Sequence, residues 1–311
     1  MIIVNMKDGL GNQLFEYAFA KHLQKKCGDK IALNNFFFDG AKRRSYSLHH
    51  FKLDKDVKVF SDIQQKWYTL CYMVRLFTCY PRVFIRWMTS NQRPKDEKTF
   101  AHSARKGMYV HFNTFHKFEI PVSKRRNKYI YGNYENYCYV EDVLPELRKE
   151  FEIISPPSEE NQRMMEKLAS EESVCVHIRR GDYLDPQWKM MNVCTFEYYQ
   201  NALNAVQKEH PNAKFYVFSN THKDIEWIKE NYHFVQPLEY VDLGNPDYEE
   251  LRLMQQCKHF IISNSTFSWW AAVLAKWENK MVVAPEKWIQ NDKSGDSNGM
   301  FLPDWVLAPL E

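Results

Sequence analysis

The run Val174-Cys-Val-His-Ile-Arg-Arg-Gly-Asp-Tyr183 places two arginines, a glycine and an aspartate directly after an apolar stretch. Arginine offers five N–H donors in a planar fork that stays charged, which suits phosphate oxygens better than lysine does. The adjoining Gly181 lets the backbone turn sharply or approach a ligand closely. A buried strand ending this way reads as a polyanion site, against the plainer reading of a solvated turn. A second polar group, Ser263-Asn264-Ser265-Thr266, precedes Phe267-Ser-Trp-Trp270. A hydroxyl there can cap a helix, and with the first N–H groups of that helix it can hold phosphate oxygens. Capping accounts for one hydroxyl but not for four polar side chains in succession. Ser219-Asn220 follows a third apolar run, and Lys7-Asp-Gly9-Leu-Gly11-Asn12-Gln13 forms a glycine loop after Ile2 to Asn5. Two glycines fall short of the dinucleotide-binding fingerprint, so that loop alone is a weak signal.

The elements that must position these groups are legible from periodicity. Leu14, Phe15, Ala18, Phe19, His22 and Leu23 recur at helical spacing after the glycine loop, and residues 31–33 suggest a next strand. Residues 40–135 read as irregular, aromatic and basic, with Lys42-Arg-Arg44 and Lys124-Arg-Arg126 as clusters that usually belong to solvated faces. Pro156-Pro157 before a polar helix marks a linker between halves. Beyond it the spacing predicts strands near 173–178, 215–218, 260–263 and 280–284. Helices are predicted near 196–209, 224–231, 248–257 and 267–276. Such alternation predicts a parallel sheet with covering helices, and ligands of such sheets sit beyond the carboxyl ends of the strands. Parallel topology would therefore bring His177 to Arg179, Ser219-Asn220 and Ser263 to Thr266 to one edge.

Composition narrows the field. A chain of 311 residues has room for two α/β domains, and a formal net charge of +3 is too weak to argue for nucleic acid. Seven scattered cysteines without a C-x-x-C pair read as free thiols in a reducing compartment. The chain enters strand-like Ile2-Ile-Val4 directly after Met1, with no secretory pattern, so a cytoplasmic location is expected.

Trp67 to Met88 is apolar and aromatic enough to suggest a membrane span, but Arg75, Arg82 and Arg86 lie within it and Pro81 breaks it. Charges at that depth are costly, so two amphipathic helices meeting near Pro81 are expected instead. They would pack on the N-terminal domain or form a membrane-surface or acceptor-binding patch.

Taken together, Gly9-Leu-Gly-Asn-Gln-Leu-Phe-Glu-Tyr-Ala18, His177-Ile-Arg-Arg-Gly-Asp-Tyr183, Phe218-Ser-Asn220 and Asn264-Ser-Thr-Phe-Ser-Trp-Trp270 resemble the ordered motifs of the bacterial α-1,2-fucosyltransferases, glycosyltransferase family 11. More remotely they resemble the α-1,6- and protein O-fucosyltransferases. The resemblance spans nearly the whole chain. It implies an α/β GT-B fold with two Rossmann-like domains facing a central cleft. Residues 1–155 would form an acceptor-side domain with a helical insertion, and residues 156–311 would bind GDP-fucose. The implied reaction is inverting, metal-independent transfer of L-fucose to the 2-hydroxyl of a terminal galactoside, with no cofactor beyond the donor substrate. A galactose-terminated glycan is the implied acceptor, and peripheral association with the inner face of the plasma membrane is a further expectation by analogy.

Residue by residue, the resemblance makes Arg179 the β-phosphate residue and puts His177 near the nucleotide. Asp182 would orient the arginines or a sugar hydroxyl, and Gly11 and Asn12 would face the donor from the other domain. Ser219 and Asn220 would lie near base or ribose, and Asn264, Ser265, Thr266 and Phe267 would complete the donor site. The family often follows that Ser-Asn with an acidic residue, whereas here Thr221-His-Lys223 intervenes before Asp224. The chemistry is consistent: departure of GDP builds charge on the β-phosphate, which preordered donors such as Arg179 and Thr266 can stabilise without a metal. Asp182, Asp185 and Glu16 are the carboxylates near enough to these motifs to be weighed as general base, and none is singled out.

Two competing readings follow from the residues. Asp54-Lys-Asp56 matches the D-x-D pattern of metal-dependent glycosyltransferases, but no apolar strand precedes it, so a solvated turn is expected. A non-catalytic nucleotide-sugar or glycan-binding protein on the same scaffold, or a fucosyltransferase of another linkage, would share most of these motifs.

Overall fold

The computed structural model describes residues 1–38, 45–79, 97–111, 114–184 and 186–311, excepting the side chains of Asp182, Leu184 and Gln187. The chain divides into two compact units, Met1–Glu152 and Ile153–Glu311. Each is a parallel α/β sheet, so the expected pair of Rossmann-like GT-B domains is present. Lys42-Arg-Arg44, Pro81 and Asp185 lie outside the described residues.

The first unit holds β1 (Ile2–Asn5), β2 (Ile31–Asn34), β3 (Lys58–Val59), β4 (Met108–Val110) and β5 (Lys128–Tyr131) in the order β3-β2-β1-β5-β4. All neighbours run parallel, with Val4 opposite both Leu33 and Ile130. Parallel strands covered on both faces read as unbroken apolar runs, and β1 is buried throughout. β4 and β5 lie inside the segment expected to be irregular. They are only three and four residues long, and Lys128 opens the second, so neither carries a strong period of two. Lys128 is nevertheless buried, its ammonium paired with Asp29.

α1 (Leu10–Cys27) departs from the single stripe expected of it: nearly every residue from Leu10 to Leu23 is buried, including Gln13, Glu16, Lys21 and His22. The polar members on its far face are satisfied by partners, Lys21 by Glu150 at 2.7 Å and His22 by Asp142 at 2.8 Å. The helix stops at Gly28, whose φ of 70° is the left-handed conformation glycine adopts without a Cβ clash, and its N–H returns to the Gln24 carbonyl.

α2 (Asp62–Cys79) is the first of the two amphipathic helices expected there; the second falls outside the described residues. It buries Thr69, Tyr72 and Leu76 on the sheet and leaves Ile63, Trp67, Leu70, Val74 and Phe77 exposed at i, i+4, i+7, i+11 and i+14. Among the described residues no helix is long and apolar enough to cross a membrane. α3 (Glu97–Arg105) leads into β4, and α4 (Leu144–Glu150) closes the unit.

The second unit carries β6 (Ser173–Ile178), β7 (Lys214–Ser219), β8 (Leu238–Tyr240), β9 (His259–Ile261), β10 (Val282–Pro285) and β11 (Val306–Ala308). Their order is β11-β10-β9-β6-β7-β8, again all parallel. The helices between them are α5 (Glu159–Ser170), α6 (Phe196–Glu209), α7 (His222–Asn231), α8 (Asp247–Met254) and α9 (Thr266–Leu274). The alternation expected from the sequence is met, and the short edge strands β8 and β11 are additions to it. From β6 the chain winds outward through β7 and β8, then returns to place β9 on the other side of β6. That reversal puts a topological switch point at the carboxyl ends of β6 and β9, where open α/β sheets leave a crevice.

Candidate functional site

The carboxyl ends of β9, β6 and β7 are neighbours, so three of the four polar motifs meet at one edge of the second sheet. Across the switch point itself, His177 Nδ1 lies 2.9 Å from Ser263 Oγ. Both are buried, and the His177 carbonyl accepts from the Tyr199 hydroxyl at 3.3 Å. Burial, with a smaller contribution from the Arg179 charge, pushes the imidazole down to about 3, so it is neutral at physiological pH. His177 is therefore a neutral hydrogen-bonding partner of Ser263 rather than a cation.

Beyond β6 the chain turns through Arg179, Arg180 and Gly181, the last at φ 41°. That φ favours glycine, and a Cβ on Gly181 would stand 2.8 Å from the end of the Asn220 side-chain amide, which would have to shift. Arg179 sits between two groups. The Asn220 amide oxygen, oriented toward the guanidinium, accepts from Nε at 3.3 Å and Nη1 at 3.0 Å. The Tyr183 ring centroid is 5.2 Å from the guanidinium carbon, and the Tyr183 hydroxyl donates to the Asn264 carbonyl at 2.9 Å. Ser219 Oγ donates to the Ile178 carbonyl at 2.8 Å, tying β7 to the base of the same turn.

The second arginine is anchored differently. The Arg180 guanidinium carbon lies 3.1 Å from the Trp227 ring centroid, and Nε is 3.8 Å from Asp224 Oδ1. That same oxygen accepts from the Gly181 N–H at 3.4 Å. The other Asp224 oxygen accepts from Thr221 Oγ1 at 2.7 Å, while Thr221 caps α7 by accepting from the Asp224 N–H at 3.2 Å. Thr221 is thus the N-cap of α7, and the carboxylate its hydroxyl meets also reaches the arginine turn. Asp224 and Trp227 were not among the sequence-selected residues. The available signal was the acidic residue displaced by three positions after Ser219-Asn220.

The loop from β9 to α9 divides the predicted residues into two groups. Asn264 is buried, and its amide donates to the Met191 and Trp288 carbonyls at 2.7 and 2.8 Å while its oxygen faces Cys194 Sγ. Its side chain thus anchors neighbouring loops. Ser265 is the N-cap of α9, its Oγ accepting from the Phe267 N–H at 3.4 Å. Thr266 and Phe267 open the helix and remain partly exposed, with the Phe267 ring 6.0 Å from His177. Trp269 and Trp270 are fully buried core, and Trp269 Nε1 donates to the Met300 carbonyl at 2.6 Å.

Gly11 and Asn12 lie in the first turn of α1 in the other unit, Gly11 buried and Asn12 partly so, with the Asn12 N–H bonded to the Gly9 carbonyl. The Asp182 backbone belongs to the short 3₁₀ turn Gly181–Leu184, and its side chain is not described. Asp56 stands in an exposed turn and Asp54 beside it pairs with Lys21, as a solvated turn would.

Among the described residues one cluster has metal-ligand composition: Glu172, His210 and His259. It sits at the amino ends of β6 and β9, opposite the arginine edge. His259 Nδ1 accepts from the Met281 N–H at 3.0 Å, which puts the ring proton on Nε2, the nitrogen that would have to face an ion. The donor set does not fit a cation.

At the arginine edge, then, a fixed fork of positive charge stands beside a neutral imidazole, a helix amino terminus and partly exposed hydroxyl and amide groups. That arrangement can hold a diphosphate and stabilise charge developing on it.

Comparison with known proteins places the chain. An α-1,2-colitosyltransferase of Escherichia coli is 25% identical over 306 residues, covering 94% of each chain. The Escherichia coli O-antigen biosynthesis glycosyltransferase WbnK is 28% identical over 312 residues, covering 93% of this chain and 95% of that one. Among solved structures, the fucosyltransferase NodZ from Bradyrhizobium is similar over 88% of this chain and 93% of its own, at 12% identity and a TM-score of 0.48. The family model for glycosyl transferase family 11 matches residues 1–308, and the chain belongs to that family of glycosyltransferases.

Proposed function

We propose that the protein transfers L-fucose from GDP-β-L-fucose to the 2-hydroxyl of a terminal galactoside, inverting the anomeric carbon and requiring no metal. The observation that carries this reading is the held guanidinium of Arg179 at the switch point of the second sheet. In the proposed step the acceptor oxygen bonds to fucose C1 as the bond from C1 to the β-phosphate oxygen breaks. The electron pair leaves on GDP, where Arg179, Thr266 and the amino terminus of α9 meet the new charge. His177, neutral and buried, and Phe267 would shape the wall against the nucleotide. Asp182 keeps the role of orienting the arginines or a sugar hydroxyl, and Gly11 and Asn12 that of facing the donor.

Family membership and the α-1,2 linkage named for one relative support both reaction class and linkage. That same relative favours a second reading of the donor. Colitose is fucose without the 3-hydroxyl, so a GDP-colitose donor would use the same diphosphate site. Peripheral docking on an anionic membrane surface belongs to the same proposal, carried by the exposed Trp67, Leu70 and Val74 face of α2. Vesicle co-sedimentation that is unchanged by Trp67→Glu with Leu70→Glu would remove it.

The deciding experiment is a GDP-release assay in excess EDTA with GDP-fucose, GDP-colitose, GDP-mannose and UDP-galactose, against lactose and related galactosides. Turnover with GDP-fucose and a product linked at the galactose 2-hydroxyl is expected. Turnover with GDP-colitose alone would move the donor assignment, and loss of activity in EDTA restored by Mn²⁺ would overturn the metal-free step.

A further inference from the structure

The segment that leaves the arginine turn is pinned to the edge of the second sheet, yet it presents apolar side chains to solvent. After Tyr183 the chain enters the short 3₁₀ helix Pro186–Met191. Trp188 on it is 46% exposed and Met190 53%.

The backbone beneath these two side chains is fixed at several points. The Met191 carbonyl accepts from Asn264 Nδ2 at 2.7 Å, and the Met190 carbonyl accepts from the Gln290 N–H at 2.9 Å. Gln290 Nε2 donates to the Asn192 carbonyl at 2.7 Å, and Val193 then turns into the core. At the other end the Tyr183 hydroxyl holds the Asn264 carbonyl, and the Tyr183 ring lies against Arg179. Ordering a loop costs conformational entropy, and a half-exposed indole forgoes much of the apolar burial that a tryptophan can supply. Packing within the unit accounts for neither. A binding surface accounts for both, because a ligand that covers a ring already held in place orders little more of the protein.

Position indicates which ligand. Asn264 directly precedes Ser265 and Thr266, where α9 begins. A 3₁₀ helix rises about 2 Å per residue, so Trp188 stands about 6 Å along the helix from Met191 and its bond to Asn264. That bond and the Gln290 contacts tie the segment to the ends of β9 and β10. Ser219 and Asn220, read as the base and ribose side, follow β7, on the opposite flank of β6. A diphosphate at the end of β6 with its nucleoside toward β7 directs its transferable sugar toward β9, the flank of Trp188.

We propose that Trp188, with Met190 beside it, is a stacking platform for the galactose ring of the acceptor, carried by the nucleotide-binding unit itself. The proposal rests on the transfer reading above. Galactose projects its axial 4-hydroxyl on one ring face and leaves C–H bonds on the other, a division that glucose lacks. The C–H face can lie flat on an indole, burying apolar area while the 2-hydroxyl at the rim stays free to react. Met190, unbranched and adaptable, accommodates the sugar that follows. Trp188 thereby selects galactosides over glucosides.

The test uses the full chain with whichever nucleotide sugar and galactoside the wild type turns over. Trp188→Ala and Trp188→Phe are compared with wild type for acceptor KM and kcat, for GDP affinity by calorimetry and for melting temperature. Trp188→Ala should raise the acceptor KM about tenfold or more with GDP affinity within about twofold of wild type, and Trp188→Phe should recover most of the loss. Saturation-transfer NMR in the presence of GDP should show methyl β-galactoside bound through its ring C–H groups in wild type and not in Trp188→Ala. An acceptor KM in Trp188→Ala within about twofold of wild type would overturn the platform and leave the transfer reading standing. So would an equal weakening of GDP, which would put the indole on the nucleotide. Saturation transfer as strong to methyl β-glucoside as to the galactoside would overturn the selection of galactose. A wild type that transfers to no galactoside would remove the transfer reading and this inference together.

Discussion

Asn220 holds Arg179 by the edge of its guanidinium, its amide oxygen 3.3 Å from Nε and 3.0 Å from Nη1. The resemblance put Asn220 near base or ribose; the geometry gives it a prior engagement with the arginine that is to meet the phosphate. The two roles predict opposite responses to one substitution. Asn220→Asp keeps the acceptor but adds a negative charge beside Arg179, so it should bind GDP more weakly than Asn220→Ala does. A carboxylate reaching guanine N1–H and the 2-amino group would instead tighten GDP binding. Calorimetry on the two variants separates the cases.

Arg179→Ala removes the fork outright, and its kcat should fall at least about 10²-fold, as for loss of a preordered donor to a developing oxyanion. Arg179→Lys keeps the charge but not the planar pair of donors to Asn220, and should fall between wild type and alanine. Steady-state rates with the accepted donor check both, and a near-normal rate in Arg179→Ala would end the phosphate assignment.

Arg180 is expected to act through the turn rather than on the substrate, because Trp227 covers it and Asp224 receives it. Asp224→Asn and Arg180→Gln should each lower kcat/KM about tenfold, and the double variant should lose little more than either alone, since both break one contact set. Additive losses would mean that Arg180 has a separate partner on the substrate.

The stability of the second unit should depend on pH through Glu250. Burial, with the nearby Asp242 charge, pushes Glu250 up to about 8, against a lowering hydrogen bond from Asn245. The unfolded chain releases that proton in the ordinary carboxylate range, so between there and about 8 the folded state binds more protons and stability falls as pH rises. Glu250→Gln removes the slope. Urea denaturation should show its advantage over wild type growing from pH 5.5 to pH 8.5. An advantage independent of pH would place the titration elsewhere.

Much of the site was legible before any coordinates because each motif combines a local pattern with an end. Val174 to Ile178 is apolar but for His177 because β6 is buried on both faces, and the charged residues that follow it must stand at the sheet edge. The same holds for Ser219 after β7 and Ser263 after β9. What escaped was short or contextual. β4 and β5 are too brief to show a period, and α1 was taken for a half-buried helix because its buried Lys21 and His22 reveal themselves only beside Glu150 and Asp142.

The sequence by itself determined that alternating elements would build parallel sheets and that arginine, serine, asparagine and threonine would gather at one edge, because burial period and strand direction are local properties. Only the tertiary structure decided what each of those side chains does. Asn264 turns to the carbonyls of Met191 and Trp288, Asp224 returns to Gly181, and Asn220 faces Arg179, contacts that span from 24 to 73 positions along the chain. Such pairings depend on which strand lies beside which and in what register, and that follows from the packing of whole units, which no local pattern encodes.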